Sequence, residues 1–547
     1  MKNLSQIKRE QMISFLEKLK EQHSDDESLI AINQIEKELT SKKYGLVWEE
    51  HEEEVDVKMQ THIPVFTEVK EREIVGNPDS EEYNFLLEGD NLHSLKLLEK
   101  THRGKIDVIY IDPPYNTGAK DFIYEDTYVE DVDGFRHSKW LSFMKSRLDV
   151  AKRILKETGL IFISIDDNEL PQLRVMCDMI FGSVNFVGTI VWKKKTNGNN
   201  MGWLPPVHDY IICYSKNIER IYDMGYEISG EELLKKYINP DNDPRGPWTT
   251  TDLSANHVGP SFTITNPKTG QTFNPPEGRY WVFNENEVKK RIEDGRIIFG
   301  KSGTARPVQR VFAKDRGISK RKAESWWDNK GLNADATKEL KDIFGKAKVF
   351  THPKPTKLIK DIIQISCDKE KALVLDFFAG SGTTGQAVLE LNKEDGGNRH
   401  FILCTNNENN ICEEITYQRL KTVIIGKRAD DSKYSDGLPT NLKYYKTDCV
   451  AKDSEEIYDD LLEHIEEMIQ LQYGIKIDNR KYVIIMDDDE MDDFEKSFAA
   501  YKDLQAVFIN QDVLLSTSQE KMLQDINTYI IPDCYFDFEL REAGELW

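Results

Sequence analysis

The chain has 547 residues, of which 39% are hydrophobic and 10% aromatic, and a formal net charge of −23. This length predicts about three or four domains, and the composition is sufficient for hydrophobic cores. No apolar run approaches the roughly 18 residues of a membrane helix, and the opening MKNLSQIKRE lacks a signal peptide's apolar stretch, so a soluble cytoplasmic protein is expected. The seven cysteines form no CxxC pair, which argues against structural zinc and a disulfide framework.

The first 82 residues predict a helical arm followed by an acidic linker. Apolar residues lie near one face up to about residue 20, and Ser24–Glu27 has the form of a capping box before a second periodic stretch. The two helices would serve as a dimer or partner arm, or would pack against the protein's own body. Residues 46–80 are acidic and are expected to be irregular.

Residues 83–216 predict an α/β unit. The β-branched runs KIDVIYID (105–112) and GLIFISID (159–166) flank a segment of helical period, which is the alternation of a parallel sheet. FVGTIVWKKK (186–195) and DYIICYSK (209–216) are expected to be further strands. Asp166 and Asp167, at the end of the second run, are expected to cap the next helix.

The composition changes over residues 217–345, where Gly, Pro and Asn rise and aromatic and basic residues interleave. From 346 to 430 the α/β pattern returns, with strands KALVLDFF (371–378) and RHFILC (399–404). The middle segment is therefore predicted to be inserted between two halves of one sheet. Residues 431–547 are mixed and acidic, and we expect a C-terminal α/β domain there.

The acidic net charge argues mildly against a nucleic-acid partner, but binding depends on the local field. Lysines 193–195 form one basic run, and Lys314, Arg316, Lys320, Arg321 and Lys322 form another. Either run could equally be a solvated face.

One phosphate-loop match is rejected. Gly295–Ser302 fits the expression GxxxxGK[ST], but a charged helical pattern precedes it and no helical pattern follows. ATP binding there is not expected.

The stretch LVLDFFAGSGTTGQAV (373–388) predicts a buried strand that turns through a glycine loop into a helix. Gly380 and Gly382 allow a sharp turn and a close approach to a ligand, and a helix N-terminus favours a negative group. Glu408 follows the next predicted strand, where an acid is placed to bind a ribose hydroxyl. The alternative is a tight strand–helix turn without a ligand.

The stretch IYIDPPYNTG (109–118) places a carboxylate, two prolines and an aromatic ring at the end of a buried strand. Asp112 and the Pro113 carbonyl would be rigid acceptors, because the prolines fix the backbone. The alternative is an ordinary turn, since Asp-Pro often opens one.

Together, DPPYNTG and DFFAGSGTT resemble the two signature motifs of amino-methyltransferases that use S-adenosylmethionine, and their order is that of the beta class. The resemblance implies a circularly permuted Rossmann-like fold with residues 217–345 as target-recognition domain. It extends over about 83–425 to the modification (Mod) subunits of type III restriction–modification systems. The segments that carry it are EGDNLHSLKLL (88–98), IYIDPPYNTG, FISIDDNE, HDYIICYSK, NPPEGRYW, SWWD, HPKPTKLIKDII and ENNICEEITYQRL (408–420).

The resemblance assigns catalysis to Asp112, Pro113, Pro114 and Tyr115. An exocyclic amine is a poor nucleophile, so acceptors for its hydrogens would direct its lone pair at the methyl donor, while Tyr115 would stack on a flipped base. Asp rather than Ser at the first position resembles the adenine N6 enzymes. The reaction needs no metal. Cofactor-binding residues carried over by position are Asp90, Lys354, Pro355, Asp376, Phe378, Ala379, Gly380, Gly382, Thr383 and Glu408.

The implied partners are double-stranded DNA, a second copy of the chain and a restriction subunit with helicase and nuclease activity, with no membrane. A solitary DNA adenine methyltransferase is one alternative, and a non-catalytic DNA-specificity subunit is another. Trp326, Trp327, Arg316 and Arg321 could contact DNA, or the tryptophans could be local core.

Overall fold

The computed structural model describes residues 12–20, 26–40, 48, 51–118, 123–124, 127–128, 135–198, 203–221, 224–227, 237–300, 302–315, 320–367 and 370–544. The chain divides into two compact units. The first takes its residues from 1–221, 325–363 and 368–547, and the second from 222–324 and 364–367. Ser24, Lys301 and Arg316, which the sequence analysis singled out, lie outside the described residues.

The first unit is built on an eleven-stranded sheet. Ten of its strands are labelled in chain order: β1 (His62–Glu68), β2 (Tyr83–Glu88), β3 (Ile106–Ile111), β4 (Leu155–Ile165), β5 (Phe186–Lys193), β6 (His208–Ser215), β7 (Trp326–Trp327), β8 (Leu373–Asp376), β9 (His400–Thr405) and β10 (Asn441–Ala451). They lie in the order β1-β10-β2-β9-β8-β3-β4-β6-β5-β7, and the short strand Ile74–Val75 also pairs with β10.

Six neighbouring strands, from β10 to β4, are parallel. Most of their buried residues are apolar, as is usual for parallel strands buried on both faces; in β3, for example, Ile106, Val108, Ile109 and Ile111 are fully buried. The helices are α1 (Asn91–His102), α2 (Arg136–Ile154), α3 (Thr383–Asp395) and α4 (Tyr417–Ile425), with others at Asp26–Thr40, Glu54–Thr61, Leu170–Cys177, Asn333–Phe344, Thr356–Ser366, Ile457–Leu462, Ile465–Tyr473, Asp488–Ser497, Thr517–Leu523 and Asp533–Ala543.

The chain order and the spatial order of the strands differ at one decisive place. Strands β8 and β9 come from the second half of the chain, yet they lie between β2 and β3 of the first half. The α/β fold with one sheet assembled from two distant segments is confirmed. All six parallel strands therefore bring their carboxyl ends to the same edge.

The expectation that residues 46–80 are irregular is wrong. They contain the helix Glu54–Thr61 and strand β1, whose residues Ile63, Val65 and Phe66 are buried. Strand β1 pairs antiparallel with β10, so its partner comes from a distant part of the chain. The apolar residues of β1 are few and are surrounded by acidic sequence, so the local pattern did not indicate a strand.

The segment after residue 430 begins with β10, which lies in the central sheet between β1 and β2. It continues into a small parallel sheet of β11 (Tyr482–Ile485), β12 (Ala506–Asn510) and β13 (Asn527–Ile531). The residues assigned to a C-terminal domain are thus divided between the central sheet and this second sheet.

The second unit is made of short antiparallel pairings. Trp248–Asp252 pairs with Val308–Phe312, which also pairs with Ile297–Ile298. Trp281, Val288 and other apolar residues form its core. The Gly295–Ser302 segment follows the helix Glu285–Glu293, and the described residues after it enter a strand. The assignment of the inserted segment to target recognition stays a prediction.

The described residues provide neither a membrane-spanning helix nor a metal site. None of their helices is long and apolar enough to cross a membrane. Nor do they contain a group of three or more His, Cys, Asp or Glu side chains that could hold a metal ion.

Lys443 of β10 provides a test of the terminal strands. Its ammonium donates to Glu68 Oε1 of β1 at 2.6 Å, and both side chains are almost fully buried. The change Lys443→Met leaves the Glu68 carboxylate buried without its cation, and we expect the free energy of unfolding in urea to fall by about 3 kcal/mol. Lys433→Met is the control, because Lys433 and its partner Asp436 are exposed and their pairing is screened by water. Equal urea midpoints for the two variants would contradict the assigned role of this ion pair.

Candidate active site

The DPPY segment and the glycine loop leave the sheet side by side. Strand β8 pairs directly with β3, with Val374 opposite Val108 and Leu375 opposite Ile109. Asp112 follows the end of β3, and Phe378 begins the loop that follows β8. Because the two strands are parallel neighbours, both segments begin at one edge of the sheet.

Lys354 connects the two segments. Its ammonium donates a hydrogen bond to Asp112 Oδ2, although the two residues are 242 positions apart, and it lies 5.1 Å from the centre of the Tyr115 ring. Its backbone carbonyl accepts a hydrogen bond from Thr383 Oγ1 at 3.3 Å. One residue of the HPKP segment therefore contacts both predicted motifs.

The DPPY segment is held in a fixed shape. Trp140 Nε1 of α2 donates to the Pro114 carbonyl at 2.7 Å, and Pro113 is buried. Burial, and then the charge of Asp112, raise the pKa of the Tyr115 hydroxyl well above its usual value. Among the described residues, no donor reaches the buried Oδ1 of Asp112 with hydrogen-bond geometry, although the Tyr115 hydroxyl lies close enough to this carboxyl group to interact with it. Such an acceptor is unusual in a folded chain and is suited to a donor on a substrate.

The glycine loop is shaped by backbone that only glycine adopts readily. Gly380 has φ 48° and Gly382 has φ 77°. A Cβ at Gly380 would lie 3.3 Å from the Phe350 ring, and one at Gly382 would lie 3.1 Å from Thr416 Cγ2. Gly382 ends the loop and precedes α3, so the loop amides and the helix N-terminus lie together.

Asp376 supports this loop with both of its carboxylate oxygens. One accepts from the Phe378 amide at 3.0 Å, and the other accepts from Thr384 Oγ1 at 2.5 Å. Burial, with a smaller contribution from the charge of Asp112, raises its pKa to about 7, although the hydrogen bonds from Thr384 and Phe378 and the charge of Lys354 oppose the shift. The structure therefore places Asp376 beneath the loop as its anchor.

Asp209, at the start of β6, is the third carboxyl group of the site. Its partner is Lys194, and burial raises its pKa to about 6 despite Lys194 and Lys354, with a further contribution from Asp112. Asp112, Asp209 and Asp376 thus lie around Lys354 in a region from which water is largely excluded.

Two other predicted cofactor residues lie at neighbouring strand ends. Asp90 follows β2 and caps α1, accepting from the Leu92 amide at 2.7 Å. Glu408 follows β9, is exposed, and accepts from Asn406 Nδ2 at 2.8 Å. Because β9 lies between β2 and β8, Asp90, Glu408 and the glycine loop occupy three consecutive positions along the edge.

The remaining predicted residues border the loop. Phe378 is half-buried, with its ring centre 5.8 Å from that of Phe143, and Ala379 donates from its amide to the Cys404 carbonyl at 3.1 Å. Pro355 lies against Gly331, and its carbonyl accepts from the Leu358 amide at 3.1 Å. All the predicted site residues are therefore at this one edge.

Sequence analysis missed Arg419, which is fully buried in α4. Its guanidinium donates to Ser381 Oγ at 3.0 Å, to Thr383 Oγ1 at 2.8 Å and to Gln386 Oε1 at 2.8 Å. Burial lowers its pKa to about 10. Arg419 therefore supports the glycine loop. In the sequence it lies in a charged helical stretch, where an arginine is usually expected at the surface.

Arg147 of α2 was also missed. It is fully buried and donates to Asn91 Oδ1, to Glu53 Oε1 at 2.7 Å and to Asp90 Oδ1 at 3.4 Å. Asn91 Nδ2 in turn donates to the Phe377 carbonyl at 2.9 Å. These bonds fix Asp90 relative to the glycine loop. Arg147 occurs in a helix without a motif, so the sequence offered no signal for this role.

The chain matches the family model described as DNA methylase over residues 106–418. This range includes the DPPY segment, the glycine loop and the HPKP segment. The chain belongs to this DNA methylase family.

Three relatives refine the comparison. The chain is 34% identical to the StyLTI Mod subunit of a type III restriction–modification enzyme from Salmonella typhimurium, over 73% of this chain and 64% of that one. It is 33% identical to the EcoPI Mod subunit from Escherichia phage P1, over 59% of this chain and 58% of that one. It is 34% identical to the type II methyltransferase M.KpnI from Klebsiella pneumoniae, over 66% of this chain and 90% of that one.

The chain spans roughly three fifths of the length of the Mod subunits that it matches. The recognised resemblance to type III Mod subunits is confirmed.

Asp376 gives the site a measurable pH dependence. Its carboxyl has an ordinary pKa of 3.8 and a pKa of about 7 in the folded chain, so between these values the folded chain binds the additional proton. The contribution of Asp376 to the free energy of unfolding therefore falls as pH rises from 4 to 7, by at most about 1.4 kcal/mol per pH unit. In Asp376→Asn this part of the slope is absent, whereas Asp209 contributes equally to both proteins. Urea unfolding at several pH values in this interval measures the difference, and identical slopes would refute the assignment.

Proposed function

We propose that the chain transfers a methyl group from S-adenosylmethionine to N6 of adenine at a specific sequence in double-stranded DNA. The observation that supports this most is the junction at Lys354, which contacts Asp112 of the DPPY segment and Thr383 of the glycine loop. A methyl donor and an amine must meet in line, and this junction brings their predicted binding segments together.

The residues around the glycine loop fit the methyl donor. A Cβ at Gly380 or Gly382 would reduce the space at the loop, and the exposed Glu408 carboxylate at the next strand end suits ribose hydroxyls. Asp90 would bind the donor's adenine, and Lys354 and Pro355 would flank its methionine part. When bound, S-adenosylmethionine supplies a sulfonium methyl group that needs no metal for its transfer.

Asp112 and Tyr115 would act on the target adenine. The adenine amine would donate one hydrogen to Asp112 Oδ1, which has no other donor with hydrogen-bond geometry among the described residues, and the other to the Pro113 carbonyl. Both acceptors favour a lone pair that points at the methyl group, and the prolines keep them aligned. The Tyr115 ring would stack on the flipped base. Lys354 would hold the second oxygen of Asp112 and fix the orientation of the carboxylate.

The finer assignment is a modification subunit of a type III restriction–modification system. It is supported by the Mod subunits among the relatives, which match over more than half of this chain. The partners would be double-stranded DNA, a second copy of the chain and a restriction subunit. M.KpnI, named as a type II methyltransferase, supports the alternative of a methyltransferase without such a subunit. A gene for a helicase–nuclease beside this one would favour the first.

Asp112→Asn tests the chemistry. The amide keeps the size of the side chain but removes the charged acceptor, so we expect transfer of labelled methyl to DNA to fall by about a hundredfold to a thousandfold. Binding of S-adenosylmethionine, measured by equilibrium dialysis, should stay within about threefold of wild type, because Asp112 is not among the residues predicted to bind the donor. The exposed Asp493→Asn is the control and should change neither quantity. Full activity in Asp112→Asn would exclude the proposed role.

The base and the sequence are tested in cells. Modified bases are sequenced in DNA from cells with and without this protein, and we expect N6-methyladenine at one short sequence only in the former. N4-methylcytosine instead would refute the adenine assignment. Site-specific DNA binding without any methylation would favour the non-catalytic specificity subunit.

A further inference from the structure

Two large apolar side chains are exposed in the connection that joins β5 to β6. They are Trp203, which is fully exposed, and Leu204, which is 91% exposed, and they lie between β5 and β6. Single exposed apolar residues are ordinary, but a fully exposed tryptophan next to an exposed leucine calls for an explanation from its position.

The base of this hairpin is firmly held. The amides of Lys194 and Lys195 donate to the Val207 carbonyl at 2.9 and 3.2 Å, and the Lys194 ammonium pairs with Asp209. Trp192 is buried, and its Nε1 donates to the Gly331 carbonyl at 2.9 Å. Pro205 and Pro206 follow the two exposed residues and restrict the backbone. On the side toward β6, the apolar pair is therefore followed by backbone of restricted conformation.

The hairpin arises from the same edge of the sheet as the DPPY segment. Strand β6 is antiparallel to β4, with Tyr210 opposite Ile165, so β6 begins where β4 ends. Strand β4 is the parallel neighbour of β3, and Ile163 lies opposite Ile111. Asp209, at the base of the hairpin, is close enough to Asp112 and Lys354 for both charges to act on it.

Two lysines at the base of the hairpin carry positive charge, while Asp167 lies at the neighbouring end of β4, where it accepts from the Tyr210 hydroxyl. Lys193 and Lys195 are half-exposed at its base, in a chain whose net charge is −23. This local basic run would contact phosphates on either side of an inserted apolar group.

We propose that Trp203 and Leu204 form a wedge that enters the base stack of duplex DNA beside the adenine that is turned out for methylation. The inference rests on the proposed function. Turning a base out of a duplex leaves a gap and unpairs its partner, and an aromatic ring that stacks on the neighbouring bases offsets part of that loss. Trp203 supplies the ring, and Leu204 fills the adjacent space.

The test uses a duplex that carries the sequence identified by modified-base sequencing, with 2-aminopurine at the target position. Its fluorescence rises when the base leaves the stack. Wild type should bind this duplex and produce a large increase. Trp203→Ala should bind within about threefold of wild type, yet give less than about a fifth of the increase and transfer methyl to the adenine duplex about tenfold to a hundredfold more slowly. Trp203→Phe retains a ring and should stay near wild type.

Two controls separate the wedge from other causes. Val184→Ala changes an apolar residue that is 77% exposed beside the opposite end of β5, and it should leave fluorescence and transfer unchanged. A duplex with an abasic position opposite the target has no pair to open, so on it Trp203→Ala should recover to within about threefold of wild type.

Different results would refute the wedge and the proposed function. Wild-type transfer combined with an unaltered fluorescence increase and rate in Trp203→Ala would overturn the wedge alone. Absence of transfer by wild type to any DNA would overturn both.

Discussion

The pairing of β8 with β3 is the constraint on which the rest of the site depends. These strands come from distant parts of the chain, and their parallel register aligns Val374 with Val108. It follows from this alignment that the glycine loop and the DPPY segment begin at the same edge. Lys354 then closes the junction through Asp112 and the Thr383 hydroxyl. Without this pairing, neither motif would have its counterpart.

The charges of the junction are centred on the ammonium of Lys354. Asp112, Asp209 and Asp376 lie near one ammonium, and burial raises the pKa of Asp209 to about 6 and of Asp376 to about 7. Lys354 supplies the positive charge that this group of buried acids requires. Arg419 and Arg147 lie outside this group and hold the glycine loop and Asp90 through neutral and charged acceptors. The three acids and Lys354 therefore determine the charge of the site, whereas Arg147 and Arg419 determine its shape.

Much of the architecture could be predicted from local patterns. The run 105–112 was expected to be a strand and is β3, and the run 371–378 contains β8, because continuous β-branched segments followed by turn residues are strong signals. The motif residues could also be located, since Asp112 and Gly380 belong to short patterns with a chemical reason. What could not be predicted depends on distant partners. Strand β1 needs β10, and Arg419 is recognisable only when its contacts with Ser381 and Thr383 are known.

The tryptophans show the same limit. Trp326 and Trp327 were considered as DNA contacts or local core, and the structure places them in β7 at the border of the central sheet, with Trp327 buried and Trp326 more than half exposed. No pattern in the sequence distinguishes Trp203, because the exposure of a side chain is a property of the fold.

The most direct measurement is a crystal structure of the protein with S-adenosylmethionine bound. We expect the donor to contact Gly380 and Gly382 and its methyl group to face the space beside Asp112 and Tyr115, at about the 3–3.5 Å separation that transfer requires for a docked amine. A donor bound elsewhere, or in a cavity separated from Asp112 by intervening side chains, would contradict this expectation.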